Sequence, residues 1–185
     1  HPIVLPKQIA RREVLREILQ RLDTDFLLLI THGSENFIED GQGDVISDRE
    51  IATWNLHSSP IVFNNSCSSW TTTGRAFLSS GARAHIGTLW PVTNDLAAKI
   101  AIKIGQRLHA QEEDDLAALL MDAIGEVTAE YPNGKATAAA YIYVGLPGVQ
   151  LLSRPAINTL ETVALLTETY QTLYHILERI ALEGR

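Results

Sequence analysis

The sequence predicts an α/β fold in which a mostly parallel sheet is flanked by helices. Three observations carry this expectation. Four short apolar runs, each bounded by turn-forming residues, read as strands buried on both faces. Helical apolar stripes separate them, and strands alternating with helices at this spacing argue for parallel pairing through crossovers. The 185 residues are 45% apolar and 20% charged, with one cysteine: room for one domain with a real core and a short extension, and no disulfide scaffold.

In chain order, residues 8–22 put Ile9, Val14, Leu15, Ile18, Leu19 and Leu22 on one helical stripe with Arg and Glu opposite, a helix that covers a core. Phe26 to Ile30 is the first strand and delivers Thr31-His32-Gly33. The polar stretch Ser34 to Asp44, with Gly41 and Gly43, reads as a loop. Ser47-Asp48-Arg49-Glu50 fits a capping box that opens a short helix through Trp54. Pro60 to Phe63 is the second strand, running into Asn64-Asn65-Ser66-Cys67-Ser68-Ser69. A short helix around Arg75–Ser80 closes on Gly81, and the third strand spans Ala84 to Leu89, ending at Trp90-Pro91. Asn94 or Asp95 caps a helix through Leu108, and Asp114 to Glu130 supplies another. Tyr131-Pro132-Asn133-Gly134 is a turn, and Ala139 to Val144 is the fourth strand. Residues 155–183 carry a long helical stripe, so the expected division is a domain over 1–150 and a helical extension over 151–185 that packs on it or joins another domain.

The net charge of −7 argues against a basic duplex-binding surface, so no nucleic-acid partner is expected. The excess is local: seven carboxylates fall between positions 112 and 130 with no Lys or Arg among them, and the rest balances. Residues 112–115 read as a solvated loop and first helical turn, or as a source of long-range attraction for a basic substrate. No apolar run is long enough for a membrane span, and the start lacks a signal-peptide layout. With a single thiol, a reducing, cytoplasmic setting is expected. Position 1 is His rather than Met, as in a processed or excised piece. There is no GxxxxGK[ST] and no GxGxxG after a strand, and one cysteine makes no zinc knuckle, so neither metal nor cofactor is expected.

In open parallel sheets ligands bind beyond the carboxyl ends of the strands. The first run delivers His32 there and the second delivers Cys67, so neighbouring strands would bring an imidazole and the one thiol to the same edge. Free cysteine is most often small buried filler, but this one is flanked by Asn64, Asn65, Ser66, Ser68 and Ser69, a setting suited to a loop mouth. His57, His85 and His109 lack such a setting and read as structural or surface residues.

Thr31-His32-Gly33, Ile61-Val62-Phe63-Asn64-Asn65-Ser66-Cys67-Ser68, Phe77-Leu78-Ser79-Ser80-Gly81-Ala82, Gly87-Thr88-Leu89-Trp90-Pro91-Val92 and Tyr143-Val144-Gly145, in this order, resemble the CHAT family of caspase-like cysteine peptidases, relatives of separase and the caspases. The likeness covers roughly residues 25–148. It implies a caspase-like three-layer sandwich and an intracellular endopeptidase with a His–Cys dyad: Cys67 as the attacking thiolate, His32 protonating the leaving amine, and the backbone N–H groups of Gly33 and Cys67 as the oxyanion hole. The spacing from His32 to Cys67 is shorter than the ~50 residues of a caspase. The resemblance also makes Asp95 a candidate for holding a basic P1 side chain, one position away from the family's pattern, with helix capping as the alternative. Trp90 and Ser66 join it as substrate-binding candidates, and Trp70 sits where a specificity loop would begin. The expected partner is a protein substrate, with a regulatory domain or partner that activates the enzyme. The segment after Cys67 is shorter than in the family, and this favours the alternative of a peptidase-like binding or scaffold module with little turnover. A nucleotide-binding domain is the weaker third reading, for want of a phosphate cradle.

Overall fold

The computed structural model describes Leu5 and residues 7–110, 115–131 and 134–145. The stripe at 155–183 lies outside these residues. Helix α1 (Arg12–Arg21) buries Val14, Leu15, Ile18 and Leu19, and Arg21 in its last turn pairs with Glu17 at 2.6 Å, where a cation suits the helix dipole. Strand β1 (Phe26–Leu29) follows.

The segment expected to be a loop instead forms a three-stranded antiparallel sheet: β2 (Gly33–Ser34), β3 (Phe37–Glu39) and β4 (Val45–Ser47). Its strands are very short and only alternate residues point inward, so average polarity conceals them. Ile38 and Ile46 are opposite each other in register and fully buried. Asp40 builds the turn between β3 and β4, accepting from the backbone N–H of Gln42 at 2.7 Å, Asp44 at 3.0 Å and Arg12 at 3.1 Å. Gly43, at φ +90°, supplies the left-handed residue that such a turn needs.

Ser47 caps the short helix α2 (Asp48–Ile51) by accepting from Glu50 N–H, as the capping box predicts. Strand β5 (Ile61–Asn64) and strand β6 (Ala84–Thr88) are buried at every position, and helix α3 (Thr72–Ser79) lies between them, closed by Gly81 at φ +112°. Helix α4 (Asn94–Ala110) and helix α5 (Leu116–Ala129) form a hairpin, and a short α6 (Gly134–Ala138) leads to β7 (Tyr141–Gly145). Asp115 caps α5, its carboxylate accepting from Ala117 N–H at 2.9 Å. The α4 helix begins at Asn94, and the Thr93 carbonyl takes the Ala97 N–H. Neither Asn94 nor Asp95 is therefore the cap; both lie in the first turn.

The main sheet has the order β1-β5-β6-β7. The first three strands are parallel, with Leu29 beside Asn64 and Phe63 beside Ile86, but β7 runs antiparallel to β6, Thr88 facing Tyr141. The sheet is thus mostly parallel, as expected, with β7 the one reversed strand. A single crossover helix returns the chain to the amino end of the sheet; the two helices α4 and α5 return it to the carboxyl end, so the next strand must run the other way.

Helices cover both faces. Period-two alternation sends Ile61, Phe63, Ala84 and Ile86 toward Leu96, Ile100 and Ile104 of α4 and Leu120 and Ile124 of α5. It sends Val62 toward Leu15 and Leu19 of α1, Phe77 of α3, and Ile38 and Ile46 of the small sheet. The acidic stretch finds its partners here: Lys103 pairs with Glu126 at 2.6 Å, and Arg107 pairs with Asp122 at 3.8 Å and with Glu126. No helix among the described residues is long and apolar enough to cross a membrane.

Candidate active site

Parallel register decides what meets at the carboxyl rim of the sheet. Leu29 and Asn64 are paired, and the Asn65 N–H continues the ladder to Leu29 O at 2.9 Å. His32 and Cys67 each follow three residues beyond that pair. The contact is close at Gly33: a Cβ there would lie 2.6 Å from Ser66 Oγ and 3.0 Å from the Phe37 carbonyl oxygen, so only glycine fits. Gly33 is thereby held close against Ser66, with His32 one residue before the one and Cys67 one residue after the other. His32 is exposed while its backbone is fixed, its carbonyl accepting from Glu39 N–H at 2.9 Å beside the Thr31 Oγ1 bond to Glu39 O at 2.7 Å.

The turn that carries Cys67 is held from below by hydroxyl groups. Ser66 Oγ donates to Asn64 Oδ1 at 2.7 Å, and Thr88 Oγ1 donates to Ser66 O at 2.8 Å. Ser69 Oγ donates to Asn64 O at 2.7 Å and accepts from Thr88 N–H at 3.0 Å, bridging β5 to β6. Ser68, at φ +53°, turns the chain sharply after the thiol in a conformation rare for residues other than glycine. These bonds account for Asn64, Ser66 and Ser69: the two hydroxyls find partners in the side chain and backbone of Asn64, although Asn64 Nδ2 has none among the described residues. Cys67 itself is half-buried, free, and has Sγ 4.0 Å from the Val92 carbonyl oxygen. The thiol is thus partly accessible, one residue beyond the Ser66 that meets Gly33.

The substrate-binding candidates are placed differently from one another. Ser66 is buried with its hydroxyl engaged by Asn64. Trp90 is 42% exposed just past β6, at the same rim as the exposed Leu89. Asp95 is exposed and pairs with Lys99 at 3.4 Å one turn along α4. The Val92 contact with Cys67 shows that the chain leading to Asp95 starts beside the thiol. Trp70 packs inward, 6.2 Å from His85. His57 is exposed and lies 3.7 Å from Asp23. A shallow cleft between α4 and α5, lined by Lys99, Lys103, Glu126 and Glu130 among others, contains none of the rim residues. Among the described residues, no three His, Cys, Asp or Glu side chains are grouped as a metal ion would need.

Two rim residues escaped the sequence reading. Asn65 is buried, with Nδ2 donating to Ala97 O at 2.8 Å and Oδ1 accepting from Tyr141 Oη at 2.8 Å. Its position two residues before the thiol was the available signal. Tyr141 had none, because its proximity depends on the reversed direction of β7. Burial, and then the charge of a Cys67 thiolate, push the Tyr141 phenol above its ordinary value, so it remains a neutral hydroxyl. A scan against protein-family models finds no matching family, and a search of curated proteins finds no matching relative.

Proposed function

We propose that this chain is a cysteine endopeptidase of the caspase-like, CHAT type, acting inside the cell on a protein substrate and switched on by a partner or signal. The observation that supports the reading is the β1–β5 register, which ends both strands at one rim and brings Gly33, next to His32, against Ser66, next to Cys67. In the reaction, His32 takes the thiol proton and Cys67 Sγ adds to the scissile carbonyl carbon. The N–H groups of Gly33 and Cys67 donate to the developing oxyanion, where such donors contribute a few kcal/mol. His32 then returns the proton to the amine nitrogen as the C–N bond breaks, leaving a thioester. Water, deprotonated by His32, attacks that thioester and releases the acid and the free thiol. Exposed Trp90 walls the groove, and Asp95 holds an Arg or Lys at P1.

Cleavage of peptide reporters with Arg or Lys at P1, with wild type beside Cys67→Ala and His32→Ala, tests this. Cys67→Ala is expected to abolish turnover and His32→Ala to lower it about 10²–10⁴-fold. Unchanged cleavage in Cys67→Ala would overturn the mechanism. One observation favours the alternative of a weakly catalytic scaffold: Asp95 is paired with Lys99 and exposed rather than enclosed in an acidic pocket. On that reading wild type fails to cleave even when its thiol alkylates at an ordinary rate.

A further inference from the structure

Dyad chemistry leaves unexplained why the residue two before the thiol is bonded to three other elements. Asn65 donates its backbone N–H to the end of β1, donates Nδ2 to Ala97 O in the first turns of α4, and accepts at Oδ1 from Tyr141 Oη in β7. With β5, whose chain it continues, four elements meet at one residue. Tyr141 is fixed in turn, its ring meeting Phe63 edge-on at 6.1 Å. Asn65 is buried and Tyr141 half-buried, so deleting the Tyr141 hydroxyl leaves Asn65 Oδ1 a polar atom that water reaches poorly and loosens the backbone around it. The next residues along that backbone are Ser66 and Cys67.

We infer that Asn65 and Tyr141 form a positioning pair for Cys67, fixing the thiol-bearing turn at the carboxyl rim of the sheet. The inference rests on the reading of Cys67 as the nucleophile. The pair touches neither substrate nor reacting atoms; it acts through the turn. Its electrostatic coupling to the sulfur, seen in the rise that a Cys67 thiolate causes in the phenol, places the hydroxyl close enough for a shift of the turn to be felt. The titratable groups at this rim are His32 after β1, Tyr141 on β7, and Asp95, paired with Lys99, in α4. Small displacements of a nucleophile carry large rate penalties, so a positioning bond is expected to show in turnover more than in binding.

The test is alkylation of Cys67 by iodoacetamide from pH 5 to 10, read by intact mass; the chain has one cysteine, so the added mass reports that site alone. Wild type supplies the reference profile of rate against pH. Tyr141→Phe keeps the ring against Phe63 and removes only the hydroxyl. It is expected to raise the midpoint by about one pH unit, making alkylation about tenfold slower near neutrality, while the two curves converge at high pH where both thiols are ionised. Reporter cleavage is expected to lose about tenfold in kcat with KM unchanged. Superimposed profiles, or a deficit that persists at every pH as loss of access would give, would overturn the pairing. Reporter cleavage unchanged in Cys67→Ala would overturn the nucleophile reading itself, and is recognised without either variant of the pair. Asn65→Ser severs the same pair from its other end and carries the same outcomes should Tyr141→Phe not fold by circular dichroism.

Discussion

Acid is expected to destabilise this fold through His85, and the size of the effect follows from where the ring sits. The side chain is fully buried on β6, stacked on Phe77 at 5.9 Å and 19°, with Trp70 on its other flank. Glycines make its space: a Cβ at Gly87 would lie 2.7 Å from His85 Cε1, and one at Gly74 3.0 Å from Nδ1. Neither ring nitrogen has a hydrogen-bond partner among the described residues, so a proton added there would be neither paired nor hydrated. Burial accordingly lowers the pKa from 6.5 to about 3. Between those values the unfolded chain binds one more proton than the folded one, so the stabilisation is complete above about pH 6.5 and falls as pH drops toward 3. The slope is about 1.4 kcal/mol per pH unit, or about 2 kcal/mol lost by pH 5. That is a large share of the ~5–15 kcal/mol typical of a domain. Urea unfolding at steps from pH 7.5 to 5 measures it. His85→Leu, of similar volume and without a titrating group, is expected to flatten the slope over this window. Asp40 and Glu126 are held below their ordinary values and titrate beneath it. Parallel slopes for the two proteins would refute the reasoning.

Gly33→Ala forces a methyl to within 2.6 Å of Ser66 Oγ and 3.0 Å of the Phe37 backbone oxygen. It is expected to cost about 1–3 kcal/mol in urea unfolding, and an unchanged midpoint would contradict the close approach of the two strand ends. For Asp40, burial favours the neutral acid, but three backbone donors and Arg12 outweigh it and keep the carboxyl below its ordinary 3.8. Its contribution is therefore present above about pH 4 and lost as pH falls through the lower folded value. Asp40→Ala is expected to cost about 1–3 kcal/mol at pH 7 and to remove that acid-limb dependence, both read from thermal or urea unfolding. Lys99 contacts the Tyr131 hydroxyl and lies 4.6 Å from its ring centroid, so it has a second partner when it leaves Asp95. Lys99→Met is expected to strengthen cleavage after Arg or Lys by a few-fold at most, in keeping with an exposed pair. Asp95→Asn is expected to weaken it, and equal Arg-to-Leu P1 ratios in all three proteins would remove Asp95 from substrate selection.

Much of this was written in patterns that short-range physics can read. Phe26–Leu29 and Ile61–Phe63 are continuous apolar runs in a sheet whose two faces are covered, and the Ser47-to-Glu50 box needs only four residues to declare a helix start. The strand-end rule then placed His32 and Cys67 without any knowledge of the fold. What escaped depends on longer-range facts. Strands β2–β4 carry two or three residues each, too few for alternation to rise above the polarity of the turns between them. The buried state of His85 follows from glycines at positions 74 and 87, one on a helix and the other two residues along its own strand. The acidic stretch at 112–130 looked like an isolated excess because Lys103 and Arg107, which answer Glu126 and Asp122, precede it on another helix.

The reversed strand has a consequence for the rim. A β7 running parallel to its neighbours would begin at the amino end of the sheet, and its first residue, Tyr141, would sit beside Ala84 rather than Thr88. Because the α4–α5 hairpin returns the chain to the carboxyl end, Tyr141 enters the sheet opposite Thr88, with the Leu89 N–H bonded to Ala140 O at 2.7 Å. From there its hydroxyl reaches Asn65. The same hairpin supplies the Ala97 carbonyl to Asn65 Nδ2, and the segment leading into α4 supplies the Val92 carbonyl beside Cys67. One topological feature thus brings a donor, an acceptor and a flank to the thiol-bearing turn, whereas β1 and the small sheet contribute only its imidazole side. On this geometry, shortening α4 and α5 together by a turn would leave the β1–β5 register intact and still disturb Cys67.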